Sequence, residues 1–282
     1  MATEKDKYSK ILEKLGEWAQ GEGSLPQIIE AYGKLLRLQV EARSRIAVLQ
    51  PDLTEVTIAS RLKQGTPVVE FEDLSLDWLL VQDLFRAVAQ ILAEYTSRDT
   101  SDATALGSIA SNISTLKQAI RDWYQGKSLS SIAAENHVSE ELLAATIQAA
   151  LYPFLVIHSE ALRKMVNQEL WRRRVCPICG GKPDFALLDK ERGARWLLCS
   201  RCDTEWLFQR LECPYCGAQS QGALAYFTNE QELYRLYTCK KCQGYIKAID
   251  LRRTSSEVLL PLERITTVDL DRQAVEAGYK AG

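Results

Sequence analysis

The sequence predicts a multidomain α and β protein, an all-α helical N-terminal domain followed by two small β units. Three observations carry this. All eight cysteines fall between Cys176 and Cys242, in four Cys-x-x-Cys pairs: Cys176/Cys179, Cys199/Cys202, Cys213/Cys216 and Cys239/Cys242. The run Cys176-Pro177-Ile178-Cys179-Gly180 recurs 37 residues later as Cys213-Pro214-Tyr215-Cys216-Gly217. The chain before residue 170 has no cysteine and repeats its apolar residues every three or four positions, the period of amphipathic helices. The C-terminal part therefore reads as two tandem rubredoxin-like, or zinc-ribbon, metal knuckles, which bury too little apolar surface to fold without their ions. The expected domains are 1–170 (helical), 171–210 (first knuckle), 211–253 (second knuckle) and 254–282, a C-terminal tail with a short helix.

The helical part is justified element by element. Ile11, Leu12, Leu15 and Trp18 define a first helix from Tyr8 to about Gln20, ended by Gly21-Glu22-Gly23. Ser24 caps a second, with Pro26 in its first turn, running through Ile28, Ile29, Leu35 and Leu36 to Leu49 before Pro51 stops it. A short helix over Thr54–Leu62 precedes an extended connector, Gly65–Phe71. Ser75 is the expected cap of a helix carrying Trp78, Leu84, Phe85, Val88 and Ile91, ending near Tyr95. Another helix should span Asp102–Tyr124, and a short one Ser128–Glu135. The last run starts at Ser139 and reaches Leu170, with Pro153 predicting a kink or two abutting helices. That makes about seven helices.

Each knuckle should hold a hairpin between its pairs and a further strand, Thr204–Phe208 in the first and Gly244–Ile249 in the second. Two residues between cysteines let one tight turn bring both sulfurs to a single ion, and a second pair closes the tetrahedron. Proline fixes the backbone before the turn, and glycine opens it so that amide N–H groups face sulfur. Nineteen residues separate Cys179 from Cys199 and twenty-two separate Cys216 from Cys239. Consecutive pairing joins Cys176, Cys179, Cys199 and Cys202 in one site and Cys213, Cys216, Cys239 and Cys242 in the other. An interleaved cross-brace would join Cys176/Cys179 to Cys213/Cys216. The duplication favours the consecutive form, because each copy then closes on itself. The expected cofactors are two tetrathiolate-bound ions per chain, with zinc and iron both suited to four sulfurs. Arg201, Lys240 and Lys241 flank the second pairs and could offset the surplus negative charge.

Composition excludes several classes. Net charge is −2, and no leader with an apolar core follows Met1, so the expectation is a soluble cytoplasmic protein with reduced thiols. The most apolar stretch, Leu142–Ile157, is shorter than the ~18 residues that span a bilayer, so no membrane insertion is expected. Residues 171–282 hold 18 Lys/Arg against 14 Asp/Glu, and three of the cations are Arg172, Arg173 and Arg174. The remainder is balanced, which argues against nucleic acid as a partner. Arg172–Arg174 follow Trp171 at the domain junction, either as a helix C-terminus with the tryptophan packed between domains or as a docking site for an acidic partner segment. His137 reads as a solvated turn residue and His158 as a structural one. No phosphate loop, dinucleotide fingerprint, His-Glu-x-x-His or Gly-x-Ser-x-Gly occurs, so the chain does not read as an enzyme. Four-sulfur sites leave no position for substrate, which favours structural staples over electron transfer or dithiol catalysis.

Trp171-Arg172-Arg173 leading into Cys176-Pro177-x-Cys179-Gly180, then Leu198-Cys199-x-x-Cys202-Asp203-Thr204-Glu205-Trp206 and two more pairs, resembles the FdhE-type formate dehydrogenase accessory proteins. The Glu276-Ala277-Gly278-Tyr279 ending is similar to theirs as well. The resemblance implies a cytoplasmic maturation and assembly protein that binds the catalytic subunit of formate dehydrogenase through a metal-stapled surface. It does not imply formate oxidation. The alternatives are a rubredoxin-like redox protein acting on that enzyme's active site and a nucleic-acid-binding zinc ribbon.

Overall fold

The computed structural model describes residues 4–18, 24–46, 53–96, 101–168, 171–220, 222–228 and 230–282. A helical N-terminal region is followed by a sheet region. The chain forms two compact units, one of Met1–Pro51 with Phe71–Ile157 and one of Asp52–Glu70 with His158–Gly282. The helical region therefore does not end in a single cut at residue 170.

The helical unit contains α1 (Glu4–Trp18) and α2 (Ser24–Arg45). The expected stops at Gly21–Gly23 and Pro51, and the Ser24 side chain, lie outside the described residues. Across the unit boundary comes α3 (Glu55–Gln64), which belongs to the second unit. Thr54 caps it by accepting from the Thr57 amide, and Gly65 closes it at φ 76°. Back in the helical unit, α4 spans Trp78–Thr96. Its cap is Asp77, whose Oδ1 accepts from the Leu79 and Leu80 amides at 3.0 and 3.2 Å. Ser75, the expected cap, stands too far from the first free N–H groups to serve them.

The single helix expected over Asp102–Tyr124 is two, α5 (Ser101–Ser111) and α6 (Ile113–Tyr124). Asn112 leaves helical geometry at φ −96°, ψ 94° and accepts from the Thr115 amide, so it caps the second segment. Next come α7 (Ser130–Glu135) and α8 (Glu140–Leu162). The Glu140 carboxylate ties them by accepting from the Leu129 amide at 2.6 Å. Pro153 sits inside α8 and has no N–H to offer the carbonyl of Ala149. Gln39 Nε2 takes that place at 2.9 Å, so the missing helix bond is replaced from α2. The Glu140–Met165 segment is long and apolar enough to cross a membrane by composition, yet 61% of its most apolar stretch is buried inside the fold. Leu143, Ile147, Leu151 and Leu155 share the helical core with Leu15, Leu36, Phe85 and Leu106. The expected continuation to Leu170 is replaced by a 3₁₀ turn at Arg163–Met165, and Leu170 lies outside the described residues.

In the second unit the strands are β1 (Pro183–Leu188), β2 (Arg195–Cys199), β3 (Glu205–Phe208), β4 (Leu224–Thr228), β5 (Tyr234–Cys239) and β6 (Gly244–Asp250). Each module is a three-stranded antiparallel meander, β1-β2-β3 or β4-β5-β6. The modules are not merely set end to end. β1 pairs in parallel with β6, Phe185 opposite Lys247 through Leu188 opposite Asp250, giving one sheet of order β3-β2-β1-β6-β5-β4. β6 is buried along its whole length. The tail forms two helices where one was expected, α9 (Leu260–Thr266) and α10 (Val268–Glu276), then a short β7 (Lys280–Ala281) beside β6. Ala274 of α10 packs on Leu236 and Tyr245.

The connector explains why residues 52–70 leave the helical unit. The Val68 and Val69 amides donate to the Pro177 and Ile178 carbonyls, each at 2.8 Å. Pro67 also lies so close to Gly180 that a Cβ there would meet its Cγ at 2.9 Å.

Candidate metal centres

Each Cys-Pro-x-Cys-Gly turn is built by the same local bonds. In the first, the Cys176 amide donates to the Gly181 carbonyl at 2.8 Å and the Gly180 amide to the Cys176 carbonyl at 3.0 Å. In the second, the Cys213 amide donates to the Ala218 carbonyl at 2.9 Å and the Gly217 amide to the Cys213 carbonyl at 3.0 Å. Gly180 and Gly217 turn at φ 70° and 72°, which a side chain would oppose. The second pair of each module closes through a left-handed residue, Asp203 at φ 54° and Gln243 at φ 59°.

These turns gather the sulfurs into two groups, Cys176, Cys179, Cys199, Cys202 and Cys213, Cys216, Cys239, Cys242, each with all four sulfurs within 4.8 Å of one another. The consecutive pairing is the one formed, and the interleaved one is not. Nearest sulfurs stand 3.4 to 3.6 Å apart in the first group and 3.6 to 3.7 Å in the second. A disulfide would need about 2.05 Å. A tetrahedron with metal–sulfur bonds of about 2.3 Å has edges of about 3.8 Å. Either group could therefore hold one metal ion with little movement.

Chemistry agrees with geometry. Burial pushes the Cys176 thiol well above its ordinary value and the neighbouring sulfurs push it further, while burial lifts Cys213 to about 12. Four thiolates in such a place require a cation among them. Amide donors face them: Ile178 N to Cys176 Sγ at 3.4 Å, Arg201 N to Cys199 Sγ at 3.4 Å and Tyr215 N to Cys213 Sγ at 3.5 Å. The two groups differ in access. All four sulfur-bearing residues of the first are buried, whereas Cys216 and Cys242 of the second are half-buried.

Several supporting residues escaped the sequence reading. Thr204 Oγ1 lies 3.1 Å from Cys202 Sγ and 2.8 Å from Ser159 Oγ, linking the first centre to the end of α8. Arg264 donates to the Cys199 carbonyl at 2.7 Å, to Asp203 Oδ1 at 2.6 Å and to Asp184 Oδ1 at 2.9 Å, so α9 clamps the same loop. Arg195, from β2 of the first module, is buried beside the second centre. Burial lowers its pKa to about 10, opposed by Tyr237 and Cys213. Lys240 and Lys241, which could offset the charge, are exposed. A paired Cys-x-x-Cys marks the ligands by local spacing, but nothing local marks partners from other elements.

The arginine run is held by its neighbours. Trp171 and Trp206 are fully buried, the first donating from Nε1 to the Val175 carbonyl and the second to the Arg173 carbonyl, both at 2.8 Å. Arg172, Arg173 and Arg174 remain exposed. With Lys182, Glu212 and Tyr215 they line an open cavity of about 520 Å³, and Arg174 donates to the Tyr215 carbonyl at 2.8 Å. His137 is exposed at φ 56° and His158 is buried, and neither joins a metal-ligating group among the described residues.

Residues 175–210 match the family described as FdhE, central domain. A protein FdhE homolog of Aquifex aeolicus is 30% identical over 257 residues, 90% of this chain and 85% of that one. A homolog from Pseudomonas aeruginosa is 30% identical over 151 residues, 47% of this chain and 48% of its own. The crystal structure of the FdhE protein from Pseudomonas aeruginosa superposes with a TM-score of 0.65 at 23% identity, covering 98% of this chain and 93% of the other.

Proposed function

The chain belongs to the FdhE family, and from that premise we propose that it is a cytoplasmic maturation protein that binds the catalytic subunit of formate dehydrogenase. The observation that carries this is the closure of both four-sulfur groups, each of which would spend all its donors on one ion. Such an ion supplies a cross-link and charge, and no coordination position for a substrate. What the centres do is hold a surface. The Cys176–Gly180 turn fixes the chain just after Arg172, Arg173 and Arg174, and the Arg174 bond to Tyr215 ties that run to the second module. Four cations, Arg172–Arg174 and Lys182, against Glu212 favour an acidic segment of the client there.

Capture of the purified catalytic subunit by the metal-replete chain tests the reading. The triple variant Arg172→Ala, Arg173→Ala, Arg174→Ala should weaken capture at least about tenfold, as should metal removal. Undiminished capture after both changes would refute the proposed surface. The half-buried Cys216 and Cys242 favour one further reading, redox action of the second centre on the client. A zinc-loaded, colourless chain with full maturation activity would dismiss its iron form.

A further inference from the structure

The two four-sulfur groups differ in a way that the duplication does not require. Six of the eight cysteines are buried, and the two that are only partly so, Cys216 and Cys242, fall in the same group. They come from opposite pairs of the second module, and their sulfurs lie within 4.8 Å of each other. The first group has no such opening: all four of its cysteines are buried, and Thr204 Oγ1 stands 3.1 Å from Cys202 Sγ.

The turns that carry this pair also hold other parts of the unit. Tyr215, inside the Cys213–Cys216 turn, donates its amide to Cys213 Sγ at 3.5 Å, and its carbonyl accepts from Arg174 at 2.8 Å. Its hydroxyl donates to the Pro183 carbonyl, at the start of β1, at 3.2 Å. Its ring lies against two glycines. A Cβ at Gly244 would meet that ring at 2.9 Å and Cys242 Sγ at 3.2 Å, and a Cβ at Gly282 would overlap the ring. Gln243, next to Cys242, accepts from the Lys280 amide at 2.8 Å, the bond that anchors β7. The arginine run, the start of β1 and β7 therefore meet on the two turns that the second group of sulfurs joins.

We propose that the second centre is a peroxide-operated switch, in which oxidation of Cys216 and Cys242 to a disulfide expels the ion and lets go of Tyr215 and β7. One thiolate of the pair attacks an oxygen of hydrogen peroxide. The O–O bond breaks, an S–O bond forms, and hydroxide leaves a sulfenic acid behind. The other thiolate then attacks that sulfur, forming the S–S bond and expelling the oxygen as a second hydroxide. Peroxide has taken two electrons, and two thiolates have become one disulfide. The sulfurs close from at most 4.8 Å to about 2.05 Å. Cys213 and Cys239 alone do not fill a tetrahedron, so the ion departs and both turns open. Arg174 then loses its carbonyl partner, and a dithiol reductant with fresh metal reverses the change. The proposal rests on the accessory reading only for what the switched surface is for.

The test uses the full chain loaded with zinc at both centres, since zinc does not itself change oxidation state. Hydrogen peroxide should consume two thiols and release one zinc at least about tenfold faster than the remaining six thiols react. Peptide mapping should find Cys216 joined to Cys242. Dimedone, which caps sulfenic acids, should label one of these two before any other cysteine. The Lys280 amide should lose protection from hydrogen exchange at least about tenfold over the same interval, and reductant with zinc should restore thiols, ion and protection together. Loss of both zinc ions at one rate would overturn the proposal. So would a first disulfide between any other two cysteines, or release of one zinc with Lys280 protection unchanged. Because no dehydrogenase subunit is present, failure here removes the switch and leaves the accessory role standing. Loss of client capture with the switch intact would remove that role alone.

Discussion

Asp250 accepts from Arg252 Nε at 2.8 Å, from Arg252 Nη2 at 2.7 Å and from Arg235 Nη2 at 2.7 Å, with its side chain fully buried at the end of β6. The hydrogen bonds from Arg252 foremost, against the cost of burial, hold its carboxyl at about 2. The folded form therefore binds its proton more weakly than the unfolded chain, whose value is near 3.8. Stability from this group is whole above pH 5 and is lost as pH falls from about 4 through about 2, to a total of about 2 kcal/mol. Asp250→Asn should cost about 3–5 kcal/mol at pH 7, because Arg235 is then buried without its anion. It should also flatten the acid limb of stability against pH, and denaturant unfolding across pH 2 to 7 reads both. At this scale the eight cysteines were legible because their spacing is local, whereas Asp250, Arg264 and Thr204 were not. Each acts on a partner in another element, and a lone charged or hydroxyl residue carries no sign of its distant neighbour.

Among the elements, the start of α4 lies two residues beyond the expected one for a specific reason. Ser75 and Asp77 are both good caps, and only the position of the first unpaired amides chooses Asp77. Asn112 sits within an unbroken apolar repeat, so the break between α5 and α6 was hidden until its side chain was seen on the Thr115 amide. The modules themselves were legible as a duplication, but their environments are not duplicates. Cys216 and Cys242 are only partly buried, which opens the second centre to a competing chelator, while all four residues of the first are buried. Treatment with a strong chelator should release metal in two phases, one ion leaving at least about tenfold faster. Cys242→Ser should abolish the fast phase and leave the slow one. Single-phase release of both ions would contradict this difference in access.

The whole molecule has two cores, and only one contains sulfur. Phe85, Leu106 and Ile147 are buried in the helical unit without help from any cysteine, whereas Trp171 and Trp206 are buried in the metal-bearing unit. Complete metal removal should therefore retain most of the far-ultraviolet helical signal while shifting tryptophan emission to longer wavelength. Loss of both signals together would show that the helical unit cannot stand alone. The two-part organisation was legible from the one-sided cysteine distribution. The fusion of the modules was not, because the parallel pairing of β1 with β6 joins strands with a whole module between them.

That pairing also sets a timetable on the ribosome. β1 leaves the exit tunnel long before β6 is translated, so its inner edge waits open while the second copy is made. A nascent chain stalled in that interval would display the first four-sulfur group beside a strand edge whose partner has yet to be made.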